Sequence, residues 1–222
     1  MGNFTRDASQ ERWNSDEPIW AVMFISRNKD NKNLEGFRER RLSFLSTRVN
    51  DEKYMARKFK SFVNDGIDGE MSRMYVSVNS RNVYKSKKEL LHYLIDNMDS
   101  YNLAALDGIA VKIAMKREMA AEKKRLFDID INDESKVNEF VNDLYARGAT
   151  DETVKVHKTR NGYAVIIERG VDLRGLVDTM PDAKFKDKKD KGPWKWSKDE
   201  VSYKQDDLLL MEWATKKVIS IG

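Results

Sequence analysis

The sequence contains no cysteine. That excludes a disulfide scaffold and any thiolate nucleophile or metal ligand, and it fits a reducing compartment. Histidine is nearly absent as well: His92 and His157 are the only two, too few for a His-rich zinc site. The glycine-containing stretch Gly66-Ile67-Asp68-Gly69 lacks a following Lys-Ser/Thr, which argues against a P-loop nucleotide motor. No serine stands in a legible Ser-His-Asp arrangement. Apolar runs such as Trp20 to Ile25 are far too short to span a bilayer, and residues 1–17 are polar and charged. Neither a membrane segment nor a signal peptide is therefore expected, and the cytoplasm is the expected location.

A strong charge of one sign is also missing. Charged residues make up 35% of the chain, yet the net charge is only +4. Nucleic acid is thus permitted as a partner rather than demanded. Basic residues cluster at 112–125 and 184–198, where they read either as anion-binding surface or as solvated helix faces and linkers.

What is present suits one large domain of 222 residues. Residues 1–17 read as a flexible polar arm. Residues 18–222 read as a single α/β domain with a Lys/Trp-rich connector at 183–200. The run 19–26 predicts a buried strand. A helix is expected from Asp51, with Met55, Phe59, Phe62 and Val63 at helical spacing and a stop at Asn64-Asp65-Gly66. Residues 73–79 alternate as a strand. Ser86 and Glu89 form a capping box ahead of Leu91, Leu94, Ile95 and Met98. Residues 103–124 read as a longer helix, 125–131 as a strand, and 133–148 as a helix capped by Asp133 and closed by Gly148. Residues 154–158 and 163–168 read as a hairpin around Asn161-Gly162. A short helix over 172–178 and a final element over 202–213 complete the pattern, with no internal repeat. Interleaved strands and helices with a hairpin predict an α/β (α+β) fold with a mixed central sheet flanked by helices.

The segment Phe127-Asp128-Ile129-Asp130-Ile131 carries the most chemistry. Alternation along a strand projects Asp128 and Asp130 to one side, their Cα atoms about 7 Å apart, while Phe127, Ile129 and Ile131 face a core. Two carboxylates on one face of an apolar strand are costly without a positive partner. Mg²⁺ or Mn²⁺, which take oxygen ligands and support phosphoryl or nucleotidyl transfer, meet that need. The other reading is an edge strand whose aspartates face water or lysines.

Three segments in order, 73–81 (RMYVSVNSR), 126–131 (LFDIDI) and 157–167 (HKTRNGYAVII), resemble the archaeo-eukaryotic primase superfamily, and more closely the primase-like proteins of phages and plasmids. In that family an N-x-R strand end precedes an acidic D-x-D strand, and a later S/T-x-x-G-x-H turn supplies a histidine to nucleotide phosphates. The resemblance implies a primase-like core with Asp128 and Asp130 as the metal pair and Asp206 or Asp207 as third carboxylate. Asn79 and Arg81 match the upstream motif and Thr159, Asn161 and Gly162 the phosphate-binding turn, with Arg160 beside them, and the resemblance implies that all six bind nucleotide phosphates. The family's histidine position is occupied by Ala164. His157, on the preceding strand, stands in as a catalytic donor only if it reaches the same face.

Lys184, Lys186, Trp194 and Trp196 mix cations with aromatics, a composition that suits unpaired nucleic acid and equally a solvated loop pinned by its tryptophans. The leading expectation is a metal-dependent nucleotidyltransferase acting on nucleotides and DNA or RNA. A non-catalytic module on the same fold, binding nucleic acid or a protein, is the alternative, and a metal-dependent nuclease a third.

Overall fold

The computed structural model describes residues 17–100, 102–177, 196 and 200–217. Eight strands and four helices follow one another as β1 (Trp20–Ser26), β2 (Arg40–Ser46), α1 (Glu52–Asn64), β3 (Met71–Ser77), α2 (Val83–Asp96), α3 (Leu106–Ala114), β4 (Arg125–Ile129), α4 (Glu134–Tyr145), β5 (Val154–Lys158), β6 (Tyr163–Ile167), β7 (Val201–Lys204) and β8 (Leu208–Thr215). The fold is α+β, as expected. In place of one mixed central sheet there are two four-stranded sheets, ordered β2-β1-β3-β8 and β5-β6-β4-β7. Every strand pairing in them is antiparallel.

Each sheet has a face covered by a helix. In the first, Val22, Phe24, Met74 and Val76 meet Tyr54, Met55, Phe59 and Phe62 of α1, whose N-terminus is capped by Asp51 accepting from the Tyr54 N–H. In the second, Phe127, Ile129, Val165 and Ile167 meet Val137, Phe140, Val141 and Leu144 of α4, capped by Asp133. Period-2 alternation then turns Leu126 and Asp128 to the opposite face. There Leu126, Ala164 and Ile166 pack with Val78 and Leu209 from the chain of the first sheet. This small apolar seam fixes one sheet against the other, and the turn between β7 and β8 carries the chain across.

Several elements depart from the sequence expectation. β2, in a stretch without clear alternation, was not foreseen. Asn82, not Ser86, caps α2 by accepting from the Lys85 N–H. Ser86 is buried within the helix, and Glu89 pairs with Lys116 instead. The helix over 103–124 ends at Ala114. Beyond it, residues 119–121 hydrogen-bond to Ser80 and Asn82 and bridge to Arg81, so tertiary pairing replaces helical bonds. Over 172–177 the chain makes a turn held by Arg147, which donates to the Asp172 and Arg174 carbonyls. The arm expected over residues 1–17 lies outside the described residues except Glu17, as does most of the 183–200 connector. No helix among the described residues is long and apolar enough to cross a membrane.

Candidate functional site

Between the inner faces of the two sheets lies a cleft of about 310 Å³. One wall comes from the second sheet and its hairpin: Asp128, Asp130, Ala164 and Thr159 to Asn161. The facing wall comes from the first sheet, with Met23, Arg27, Arg73 and Tyr75. Lys204 and Asp207 close one end, on either side of the β7–β8 turn. The strand alternation foreseen for 127–131 holds, since Asp128 and Asp130 line the cleft while Phe127, Ile129 and Ile131 serve the α4 core.

Asp128 is half-buried and Asp130, just past the end of β4, is exposed. Burial pushes the Asp128 carboxyl above the ordinary carboxylate range, and the neighbouring charges of Asp130 and Asp207 push the same way against the pull of Lys204. A group in this position is stabilised in its charged form by added positive charge. Carboxylate oxygens of this kind are the donor type that hard divalent cations such as Mg²⁺ or Mn²⁺ take. Among the described residues, no three His, Asp or Glu side chains stand close enough together to hold an ion.

The opposite wall is organised by Asp30, whose side chain is only 6% exposed. It accepts from Arg73 and, at 3.1 Å, from the Arg27 Nε. Burial works against its charge, but the hydrogen bonds from Arg73 and Arg27 prevail and hold its carboxyl below the usual range. The loop bearing Asp30 is fixed by Asn31, which accepts from the Met71 N–H at 2.7 Å and donates to the Met71 carbonyl at 3.0 Å. Arg160 reaches from the β5–β6 turn to Asp30 at 3.4 Å and to the Met71 sulfur at 3.0 Å, tying the hairpin tip to the first sheet. Arg73 is 7% exposed, and its buried Nε has no partner among the described residues.

The turn of the β5–β6 hairpin is closed by the Thr159 N–H donating to the Gly162 carbonyl at 2.9 Å. A methyl group on Gly162 would stand 1.9 Å from the Ile129 carbonyl oxygen, so this glycine lets the turn press against the end of β4 beside Asp130. His157, Ala164, Asp128 and Ser202 are successive partners across β5, β6, β4 and β7. Directly paired residues share a face. His157 therefore lies on the Asp128 side, about 10 Å away at the Cα atoms, with Ala164 between them. It is half-buried, and burial with Lys155 nearby lowers its imidazole pKa. It does not line the cleft.

Three residues read as phosphate or metal ligands have other partners. Arg81 clasps Asp206 through two hydrogen bonds of 2.7 and 2.8 Å, and the Asn79 amide donates to Asp206 at 3.0 Å. Asn79 also exchanges bonds with the Lys124 backbone. These residues brace the β7–β8 turn, and Asp207 is left as the acidic neighbour that faces the cleft. Trp196 is 2% exposed, with its indole N–H donating to Asp143 and its ring against Phe140. It is a pin into the core rather than a stacking platform. Lys184, Lys186 and Trp194 lie outside the described residues.

Arg27, Asp30, Arg73 and Lys204 were not singled out from the sequence. Alternation places Arg73 on the Tyr75 face of its strand, which was a usable signal. Its partner Asp30 lies 43 residues away, in a loop with no motif.

Compared with protein-family models, curated proteins and solved structures, the chain matches none.

Proposed function

We propose that the cleft binds a nucleoside triphosphate with a divalent cation and carries out nucleotidyl transfer, as the resemblance to the primase superfamily implies. The observation that carries this reading is the pairing of an acidic wall, Asp128 and Asp130 with Asp207 beside them, with the guanidinium wall of Arg27 and Arg73. A metal–triphosphate complex presents both charges such a cleft needs, cation to one wall and phosphate oxygens to the other. Asp128 and Asp130 would hold the cation, with Asp207 adding negative field. Arg73, pre-set by Asp30, would orient the phosphates, and Thr159 to Asn161 would border them.

The reaction class is attack of a 3′-hydroxyl on the α-phosphate with loss of pyrophosphate. A bound divalent cation supplies the charge neutralisation that such a step requires. The residues themselves position and shield: the sheets exclude water on two sides, and the Arg160–Asp30 contact steadies the hairpin over the cleft.

A non-catalytic nucleic-acid-binding module is a second reading, favoured by Ala164, which leaves the cleft without the imidazole that the resemblance calls for. Calorimetric titration of Mn²⁺ into the wild type and the Asp128→Asn/Asp130→Asn variant, with and without a nucleoside triphosphate, separates the two. Binding that needs both aspartates and tightens with nucleotide supports transfer, and primer extension by the wild type then follows. Absence of Mn²⁺ binding with nucleotide present would sink the transfer reading in favour of the binding module.

A further inference from the structure

On the other side of the β7–β8 turn lies a larger recess, about 540 Å³, that takes no part in the chemistry above. Its cations come from four places in the chain: Lys85 of α2, Arg117 after α3, Lys123 to Arg125 leading into β4, and Arg169 after β6. Its acids are Glu118, Glu122 and Asp206. Asp206 is neutralised by Arg81, and Glu122 by Lys124 with help from the Ser80 hydroxyl. Lys85, Lys123, Arg125 and Arg169 have no carboxylate partner among the described residues. Cations gathered in one recess repel one another and focus a positive field, which a multiply charged anion relieves.

Two further features narrow the anion. Among the described residues no aromatic side chain lines the recess, so these residues offer a strand charge for its backbone rather than a surface for stacked bases. A third recess, about 380 Å³, shares Arg117, Gln205 and Asp206 with the basic one and Lys204 and Asp207 with the Asp128 cleft. Through these shared residues the three recesses adjoin one another around the β7–β8 turn.

We infer that this basic recess binds the phosphodiester backbone of a single nucleic-acid strand and leads it past the β7–β8 turn to the Asp128 cleft. The site deepens the transfer reading by giving it a polymeric substrate, but the binding itself needs no cation and no aspartate.

Fluorescence anisotropy with a labelled oligothymidylate tests it in metal-free buffer. The wild type binds with steep salt dependence. Lys85→Ala/Lys123→Ala/Arg169→Ala binds at least about tenfold more weakly, and the magnitude of its log–log salt slope falls by about 2, at roughly 0.7 per lost phosphate contact. All three side chains are exposed, and an unchanged thermal midpoint verifies that the variant is folded. Lys123→Glu alone, a charge reversal, weakens binding in the same direction. Asp128→Asn/Asp130→Asn binds the strand no more weakly than wild type, so this inference and the transfer reading fail separately. Unchanged affinity and slope in the triple variant would overturn the site. So would inorganic tripolyphosphate displacing the oligonucleotide at equal phosphate concentration, which would mark a pocket for small polyanions, or tighter binding of the matching duplex.

Discussion

Arg81 and Asp206, 125 residues apart, form a two-pronged ion pair in which the arginine side chain is 0% exposed. Arg81 follows β3 of the first sheet and Asp206 sits in the turn that leaves β7 of the second. Their pairing, with Asn79 donating to the same carboxylate, locks the turn that separates the two clefts.

Breaking this pair from one side leaves a charged guanidinium buried without compensation. Asp206→Ala is therefore expected to lose about 3–5 kcal/mol in urea unfolding. Replacing both partners by apolar residues, Arg81→Met with Asp206→Leu, removes the stranded charge and recovers much of that loss. A cost below about 0.5 kcal/mol for Asp206→Ala, the range of neutral surface changes, contradicts this account.

The roles of Asn79, Arg81 and Asp206 show where reading the sequence stops. A motif locates residues that matter but not what they touch. N-x-R at a strand end looked like a ligand set because its partner acid lies far downstream, and no local pattern announces that contact. By contrast Asp128 and Asp130 were legible, since alternation alone decides which face a strand residue takes. The hairpin was legible for the same reason: its turn residues are local. The division into two sheets was not, because strand pairing is long-range. The exposure of the outer face of α2 was not legible either, for helical spacing of apolar residues does not say whether a partner covers them.

Gly162 tests the local geometry of the cleft. Its missing side chain allows contact with the Ile129 carbonyl, and even a methyl group must force the turn away from β4. Gly162→Ala is expected to cost about 1–3 kcal/mol, the range of overpacked sites. It should also weaken nucleotide-dependent Mn²⁺ binding by moving Thr159 and Asn161. Asn161→Ala, at an exposed turn position, should leave stability within about 0.5 kcal/mol of wild type. Denaturant midpoints for the pair decide the matter, and equal values would show that the close approach is dispensable.

Leu91, Ile95 and Met98 are 60%, 66% and 68% exposed on or just beyond α2. Burial of such side chains in a core is worth about 1.5–3 kcal/mol each, and here that contribution is largely unrealised. Leu91→Lys/Ile95→Lys should accordingly unfold within about 0.5 kcal/mol of wild type. A loss of several kcal/mol would mean that this face is packed in solution.

Asp128 gives a pH dependence of definite sign. Its folded carboxyl titrates above the ordinary range, chiefly because burial penalises the charge and Asp130 adds repulsion. Between the unfolded value, about 3.9, and the raised folded value, the native state binds more protons than the unfolded chain. Stability therefore falls as pH rises through that window and stays lower above it. Asp128→Asn carries no such penalty, so it should be more stable than wild type at neutral pH, by a margin that closes as pH falls below the unfolded value. Mn²⁺ with a nucleoside triphosphate should raise the unfolding midpoint of the wild type and leave the variant unmoved, because ligand bound only to the native state stabilises it by mass action. Thermal unfolding across the acid-to-neutral range reads both effects. A variant less stable than wild type at neutral pH without metal would show that Asp128 has a stabilising partner in the fold, and the cation would no longer be needed to explain why the pair is there.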